Sequence, residues 1–309
     1  VMSRVASIDI GTNTVRLLIL EARPNGSLKE ISQSRAITRL GKGMDTTKKL
    51  LDDRMDETIL VLTKFRNECR KFEPLTIIAV ATSAVREAGN QKEFVLRVKK
   101  EADLEIEVIP WEKEADLMVK GVLWQLPNIK NDVLAFDIGG GSTEFILARG
   151  REIVSSVGTQ LGAVRLTEKF ISHHPVDLNE YKALENYLRG ELKLVKEKFL
   201  GFSPEVLIGT AGTVTTLAAI DGGVNPYDSE KIHGVSLTFK RVEELLEDLR
   251  NRSLAGRMVI KAMEKGREDL IIAGGALVLE TMRIFECDLL VVSEYGLREG
   301  AALEILNKE

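Results

Sequence analysis

The feature that most constrains the fold is an internal repeat with an offset of 128 residues. Residues 9–19, DIGTNTVRLLI, align without gaps on residues 137–147, DIGGGSTEFIL. In both copies a β-rich strand leads into Asp-Ile-Gly, a turn of small polar residues and a second apolar strand. The offset is too long for a solenoid repeat. Two duplicated domains are therefore favoured over two unrelated glycine hairpins, although glycine turns are common in hairpins.

The length agrees with two domains. A chain of 309 residues accommodates two domains of roughly 100–200 residues each. Apolar residues make up 44% and charged residues 29%, which is typical of a globular protein. Predicted strands alternate with helices in both halves, so the expected class is α/β. A polar, proline-containing break at 126–132 separates the halves and places the boundary between 126 and 127.

Apolar periodicity and turn residues predict the individual elements. Strands are expected at 4–10, 15–21, 28–38, 75–80, 104–109, 152–158, 205–209 and 288–293. Helices are expected at 47–72, 90–102, 112–124, 178–200, 240–250, 254–264, 270–284 and 297–309. Asp177 and Glu180 have the spacing of a capping box for the helix that begins at 178.

Composition excludes several classes of protein. Two cysteines, Cys69 and Cys287, cannot form a disulfide framework or a cysteine zinc site. The histidines His173, His174 and His233 lack metal-binding spacing, and the His-His pair is expected in an exposed loop. A net charge of −4 argues against a nucleic-acid binder. No apolar run of about 18 residues occurs, and the first residues are typical of a strand rather than a signal peptide. A cytoplasmic location is therefore expected.

Three turns rich in glycine and hydroxyl groups follow predicted strands, at 11–14, 139–143 and 209–213. Without bulky side chains, their N–H groups can converge on phosphate oxygens, and Ser or Thr hydroxyls add donors. None of the turns matches a Walker loop or a dinucleotide-binding fingerprint. The predicted phosphate-binding residues of the turns are Gly11, Thr12, Asn13, Thr14, Gly139, Gly140, Gly141, Ser142, Thr143, Gly209, Thr210, Gly212 and Thr213.

The two copies of the repeat differ in charge at one place. Arg16 in the first copy is matched by Glu144 in the second. Arg16 could bind a phosphate through its planar guanidinium. Asp137 and Glu144 supply two carboxylates beside the second turn, which suit a hard cation such as Mg²⁺. The alternative is that Asp9 and Asp137 only cap backbone N–H groups of their own turns.

Two further groups of polar residues follow predicted strands. Ser83, Arg86 and Asn90 come after strand 75–80, where open α/β sheets place ligand contacts, and are assigned to phosphate binding. Glu112 and Glu114 open the next helix. Acidic residues in a first turn usually complement the helix dipole, but a carboxylate near the domain boundary could instead serve as a general base.

Together these segments resemble the motif series of the exopolyphosphatase/guanosine pentaphosphate phosphatase (Ppx/GppA) family. The resemblance covers nearly the whole chain, and the chain is similar to the short, two-domain members. Thr14 stands where the family commonly has Ser, and Lys113 interrupts the usual acidic pair before Glu114. The matching segments are 8–17, 81–86 with Asn90, 112–115, 137–144, 209–213, 233–238 and 296–300.

The resemblance implies two ribonuclease-H-like domains of the actin/sugar-kinase type flanking an interdomain cleft. A final helix returns to the first domain, so that domain I is 1–126 plus 298–309 and domain II is 127–297. It also implies Mg²⁺-dependent removal of terminal phosphate from inorganic polyphosphate, or of the 5′ γ-phosphate from guanosine pentaphosphate. Glu114 would be the catalytic glutamate, with Asp137 and Glu144 as metal-binding and water-positioning acids. A homodimer is a further expectation; a nucleic acid or a membrane is not.

The choice between the two substrates rests on charge and aromatic content. Residues 1–50 hold nine Lys or Arg against four Asp or Glu, which suits a linear polyanion or is simply solvated surface. Aromatic residues are 5% of the chain, and no aromatic cluster is expected beside the second or third turn. Both observations favour polyphosphate. The basic residues expected to contact it are Lys29, Arg35, Arg39, Lys42, Lys48 and Lys49.

Other functions stay open at this point. Guanosine pentaphosphate could be the main substrate. A sugar kinase or actin-like ATPase would use the same turns and needs an adenosine pocket, of which Gly274 and Gly275 could be a remnant. A non-catalytic sensor of polyphosphate or an alarmone is less favoured, because a pure polyanion binder gains nothing from acids in its site.

Overall fold

The chain divides into two units, Val1–Gly121 with Leu297–Glu309 and Val122–Gly296. The boundary predicted between 126 and 127 lies outside the residues that the structure describes. The computed structural model describes residues 3–23, 28–73, 75–124, 132–150 and 152–306.

The sheet of the first unit is built on the hairpin that the sequence predicts. Its strands are β1 (Arg4–Ile10), β2 (Thr14–Ala22), β3 (Leu28–Ile37), β4 (Thr76–Ala81) and β5 (Glu107–Val108). Their order across the sheet is β3-β2-β1-β4-β5. Strands β1, β2 and β3 pair antiparallel, whereas β4 runs parallel to β1 and β5 parallel to β4. The carboxyl ends of β1, β4 and β5 therefore share one edge of the sheet, where α/β proteins bind ligands.

The helices of this unit that precede the second unit in sequence are α1 (Met44–Thr47), α2 (Asp52–Arg70), α3 (Ser83–Glu87), α4 (Gln91–Ala102) and α5 (Trp111–Val122). Helix α2 buries Met55, Ile59 and Leu62 at helical spacing in a core shared with Ile8 and Leu17 of the sheet. The helix predicted over 47–72 begins only at Asp52 and ends at Arg70. The shorter helix α1 ends just before Lys48, which takes a left-handed φ of 53°.

The sheet of the second unit repeats the order of the first. Its strands are β6 (Asp132–Ile138), β7 (Thr143–Arg149), β8 (Glu152–Thr159), β9 (Val206–Thr210), β10 (Ser236–Thr238) and β11 (Leu289–Val292). The order is β8-β7-β6-β9-β11-β10, so its first five positions correspond to β3-β2-β1-β4-β5. Strands β6, β9 and β11 are parallel and end at one edge.

The helices of the second unit are α6 (Ala163–Phe170), α7 (Leu178–Lys198), α8 (Ala211–Asp221), α9 (Ser229–Ile232), α10 (Phe239–Arg250), α11 (Leu254–Met258) and α12 (Ile271–Ile284). Helix α12 is buried from Ile271 to Met282. Its glycines serve close packing: a Cβ atom on Gly274 would collide with Thr213, and one on Gly275 with Leu246. Close packing thus explains Gly274 and Gly275, which could be a remnant of an adenosine pocket if the chain were a kinase.

The last helix, α13 (Leu297–Leu306), packs on the first unit. Ala302 joins Val5, Leu18 and Leu20 in one cluster, and Ala301 joins Val80 and Leu117 in another. Helices thus cover both faces of the β1–β5 sheet. In the described residues, no helix has the length and apolar character needed to cross a membrane.

The predicted α/β class with two ribonuclease-H-like domains is confirmed. Several short elements differ from prediction. Strand β5 is limited to Glu107–Val108, and α11 ends at Met258 rather than 264. The elements α1, α3, α6, α8, α9 and β10 were not predicted. The capping box is half correct. Asp177 accepts hydrogen bonds from the backbone of residues 179 and 180, but the Glu180 side chain binds Ser172 instead.

Candidate functional site

The first glycine turn directly follows β1, and backbone N–H groups of a later loop donate hydrogen bonds to its carbonyl groups. The carbonyl of Thr12 accepts from Gly41 N at 2.8 Å, and that of Asn13 from Thr38 N and Arg39 N at 3.0 Å each. In a trans peptide the C=O and the following N–H point in opposite directions. The N–H groups that follow these carbonyls therefore face away from the loop, as an anion-binding turn requires.

A row of charges crosses the sheet next to this turn. Asp9 on β1 lies opposite Arg16 on β2, and Arg16 lies opposite Arg35 on β3. Opposite residues of antiparallel strands share a face, and like charges so placed repel each other. Both arginines would attract an anion bound over this part of the sheet, and contact of Arg16 with phosphate stays a prediction.

The start of α5 brings Glu114 to Arg86. Arg86 Nη1 lies 2.6 Å from Glu114 Oε2 and also donates to the carbonyl of Ile109 at 3.0 Å. Its guanidinium lies 4.0 Å from the centre of the Trp111 ring. Both charged side chains are largely buried, 14% and 8% exposed. Arg86 Nε and Nη2 are buried and find no acceptor among the described residues. Arg86 therefore orients Glu114, and contact of its two other nitrogens with a phosphate stays a prediction.

Helix α13 holds α5 in place. A Cβ atom on Gly300 would collide with the carbonyl of Leu117, so the two helices touch through their backbones there. Glu304 accepts from Lys113 and, at 3.2 Å, from Lys120. Lys113, which interrupts the acidic pair of the family motif, directly precedes Glu114. Its contact with Glu304 therefore connects the start of α5 to α13.

Ser83 and Asn90 are already engaged within the first unit. Ser83 Oγ donates to Glu87 at 3.0 Å. The Asn90 amide brackets Leu50, accepting from its N–H at 2.9 Å and donating to its carbonyl at 3.0 Å. A role for either side chain in phosphate binding stays a prediction, and the visible role of Asn90 is to hold the loop that follows α1.

The second glycine turn has the same construction as the first. Gly139 N donates to Ser142 O at 2.9 Å, as Gly11 N does to Thr14 O at 3.1 Å. The carbonyls of Gly139 and Gly140 accept from the first N–H groups of α6 at 2.8–3.2 Å, and that of Gly141 accepts from Arg165 Nε at 3.0 Å. The N–H groups after those carbonyls therefore face away from α6. The Thr143 hydroxyl donates to Leu161 O.

Asp137 and Glu144 occupy the positions that Asp9 and Arg16 have in the first unit. They lie opposite each other on β6 and β7, and side chains so placed have Cβ atoms about 4.5–5.5 Å apart. Glu144 is 3% exposed. The described residues contain no group of three or more His, Cys, Asp or Glu arranged for a metal. Two carboxylates do suit Mg²⁺, which keeps several waters and takes further oxygens from substrate phosphates.

The third turn is strained and tightly packed. Ala211 has a φ of 69°, a left-handed conformation that costs a non-glycine residue about 1–3 kcal/mol and is concentrated at functional sites. The turn is fixed by Ser293 N, which donates to Gly209 O at 2.8 Å. The guanidinium of the buried Arg267 lies against Gly212, where a Cβ atom would collide with it. Arg267 was not predicted, because nothing in the sequence near the turn indicates its contact.

An aromatic cluster accompanies the third turn, contrary to the expectation from sequence. The Tyr295 ring lies 5.1 Å from Trp124 and 4.6 Å from His233, measured between ring centres. Thr210 Oγ1 donates to the Tyr295 carbonyl at 3.0 Å. Burial lowers the pKa of His233 below its usual value, so its ring is uncharged at neutral pH. The expectation failed because the three rings are far apart in sequence.

The comparisons with known proteins agree on one family. The Ppx/GppA phosphatase family model matches residues 19–309. The chain is 36% identical to a bifunctional 3-dehydroquinate synthase/phosphatase of Fusobacterium nucleatum, over 97% of this chain but 46% of that relative. It is 30% identical to exopolyphosphatase 2 of Mycobacterium tuberculosis, over 98% of this chain and 99% of the relative. The crystal structure of the Aquifex aeolicus Ppx/GppA family member superposes with a TM-score of 0.84 at 36% identity, covering 100% and 99% of the two chains.

The free donors of Arg86 generate a prediction. The substitution Arg86→Ala should weaken binding of tripolyphosphate about ten-fold or more, because a charge-assisted hydrogen bond contributes about 1.5–3 kcal/mol. Isothermal titration calorimetry measures this, with thermal unfolding to verify the fold. Arg97→Ala is the matched control, since Arg97 pairs with Asp56 and Glu101 on the surface. Unchanged affinity in Arg86→Ala would show that Arg86 only braces Glu114 and the fold.

Proposed function

This chain belongs to the Ppx/GppA phosphatase family, and from that premise we propose that it is a Mg²⁺-dependent exopolyphosphatase. It hydrolyses a phosphoanhydride bond and releases the terminal orthophosphate of inorganic polyphosphate by attack of water. Hydrolysis of the 5′ γ-phosphate of guanosine pentaphosphate is a second activity of the same site.

The pairing of Glu114 with Arg86 is the observation that carries this proposal. A buried carboxylate is held at the ligand-binding edge of the sheet by a guanidinium that keeps two donors. Phosphoryl transfer to water needs little more from a protein than positioning, charge neutralisation and a group that orients or deprotonates the water. In this proposal Glu114 takes the proton of the attacking water, and Arg86 binds a non-bridging phosphate oxygen.

The glycine turns hold the phosphates in this proposal. Their outward N–H groups bind the phosphate oxygens at the terminus of the polyphosphate chain. Asp137 and Glu144 would hold Mg²⁺, directly or through its waters. The ion supplies neutralisation of the negative charge on the phosphate oxygens. Two acids beside an anion-binding turn oppose anion binding unless a cation lies between them and the anion, which supports a catalytic function over a sensor of polyanions.

Basic residues beside the first turn favour polyphosphate as the main substrate. Arg39 donates its backbone N–H to that turn. Lys42, Lys48 and Lys49 follow in the same loop region and are exposed. A linear chain of phosphates gains from each such charge, whereas a nucleotide has fewer phosphates to place on them. The aromatic cluster beside the third turn is the observation that supports the second activity on guanosine pentaphosphate.

The role of Glu114 can be tested by Glu114→Gln. Turnover of polyphosphate should fall by about 10²–10⁴-fold, the usual contribution of general-base catalysis, while KM changes little. Steady-state phosphate release measures both values. Glu112→Gln is the matched control, because Glu112 lies in the same helical turn but is exposed. Near-normal turnover in Glu114→Gln together with a loss in Glu112→Gln would transfer the role to Glu112.

The metal proposal predicts a shift in Mg²⁺ dependence. Asp137→Ala and Glu144→Ala should each raise the Mg²⁺ concentration needed for half-maximal rate, because each removes one carboxylate from the ion. Asp132→Ala is the control on the same strand, since Asp132 pairs with Arg149. A purely structural Asp137 would instead lower the melting temperature and leave the Mg²⁺ curve where it was.

The substrate preference predicts different effects of charge reversal on the two substrates. Reversing Lys48 and Lys49 to Glu should reduce kcat/KM for long polyphosphate more than for guanosine pentaphosphate. The loss should shrink as salt rises, because exposed charges are screened over about 8–10 Å at physiological ionic strength. Reversal of Lys99 and Lys100, also exposed on the first unit, is the control. An equal loss on both substrates, or a higher wild-type kcat/KM for the nucleotide, contradicts the preference.

A further inference from the structure

The rings of Trp124, Tyr295 and His233 form a cluster in the second unit. The described core residues of the second unit do not include Trp124 or Tyr295. All three rings are partly exposed. Their planes are tilted by 58° between Trp124 and Tyr295 and by 49° between His233 and Tyr295. A cluster of flat, partly exposed rings of this kind offers π surface to a ligand rather than only filling a cavity.

The cluster is attached directly to the phosphate-binding edge of the sheet. Tyr295 follows β11, which runs parallel to β9. Its carbonyl accepts from the hydroxyl of Thr210 at 3.0 Å. Asp137 is paired in register with Thr210, and a Cβ atom on Gly296 would lie 3.4 Å from Thr210 Oγ1 and 3.8 Å from Asp137 Oδ2. A ligand with phosphates on this edge therefore has its next chemical group within reach of the rings.

The rings are also held in defined positions. Ser293 Oγ donates to the Tyr295 carbonyl at 2.9 Å, and Glu294 N donates to His233 Nδ1 at 3.4 Å. Because Nδ1 accepts that bond, the proton of the neutral ring is on Nε2. Rigid aromatic surfaces with polar edges bind flat heterocycles at little entropic cost, since few rotamers must be fixed on binding.

We propose that the Trp124–Tyr295–His233 cluster is a stacking surface for a nucleobase, so that the second unit binds the base of a nucleoside 5′-polyphosphate beside the third turn. This inference rests on the proposed function for the position of the phosphates. Inorganic polyphosphate has no π face and gains nothing from the rings. The cluster therefore determines specificity between the two substrates without taking part in hydrolysis.

Substitution of Tyr295 tests this selectivity. Tyr295→Leu should raise KM for guanosine pentaphosphate about ten-fold or more, in the range measured for removing one aromatic stacking partner. It should leave kcat for the nucleotide and both constants for polyphosphate near the wild-type values. Tyr295→Phe retains the ring and should behave as wild type. Trp124→Leu should resemble Tyr295→Leu.

Two kinetic outcomes would overturn the proposal. An equal loss on guanosine pentaphosphate and polyphosphate would mean that the ring only braces the chain beside Thr210. An unchanged KM for the nucleotide in both Leu variants would mean that the base lies elsewhere.

A binding measurement separates failure of this proposal from failure of the proposed function. The chain contains two tryptophans, Trp111 and Trp124, so Trp111→Phe leaves Trp124 as the single fluorophore. In a Trp111→Phe, Glu114→Gln background, GTP should quench Trp124 fluorescence more than tripolyphosphate does, because the two probes differ only in the nucleoside. Such quenching supports the stacking surface even if the wild-type protein releases phosphate from neither substrate. Equal responses to the two probes would overturn it.

Discussion

The carbonyl oxygens of the first two glycine turns accept hydrogen bonds from backbone N–H groups that lie later in the sequence. Residues 38–41 bind Thr12 and Asn13, and the start of α6 binds Gly139 and Gly140. The planar trans peptide then fixes the following N–H groups on the opposite side. A turn of small residues alone would sample many conformations, since glycine loses the most freedom on folding. The returning segments fix the turn in one conformation, with the following N–H groups on its outer side.

Parallel strand order collects the rest of each site around its turn. In the first unit, β1, β4 and β5 deliver the turn, Arg86 and Glu114 to one edge of the sheet. In the second unit, β6, β9 and β11 deliver Asp137, the third turn and Tyr295. Each strand ends with its last residues in register with those of its neighbours, so side chains from distant parts of the sequence meet without long loops. Ala211, whose φ is left-handed, lies at the same edge.

The buried pair of Arg86 and Glu114 illustrates how the fold supports such an edge. Buried ion pairs rarely add net stability compared with apolar residues of similar volume. The pair is instead held by its surroundings: Trp111 lies against the guanidinium, and α13 fixes α5 through Gly300 and Glu304. The position of Glu114 at the start of α5 is therefore linked to the packing of α13, which lies far from it in sequence.

Local patterns determined a large part of this protein. The apolar spacing of Met55, Ile59 and Leu62 gave α2, and the two Asp-Ile-Gly segments revealed two equivalent sheets, because periodicity and turn chemistry act between near neighbours. Local patterns do not predict contacts between segments that are distant in sequence. The Asn90 amide hydrogen-bonds to Leu50, and the guanidinium of Arg267 packs against Gly212. The Tyr295 ring contacts Trp124 and His233 beside Thr210. Each of those contacts joins segments that are far apart in sequence, so it depends on long-range packing that no local window of sequence contains.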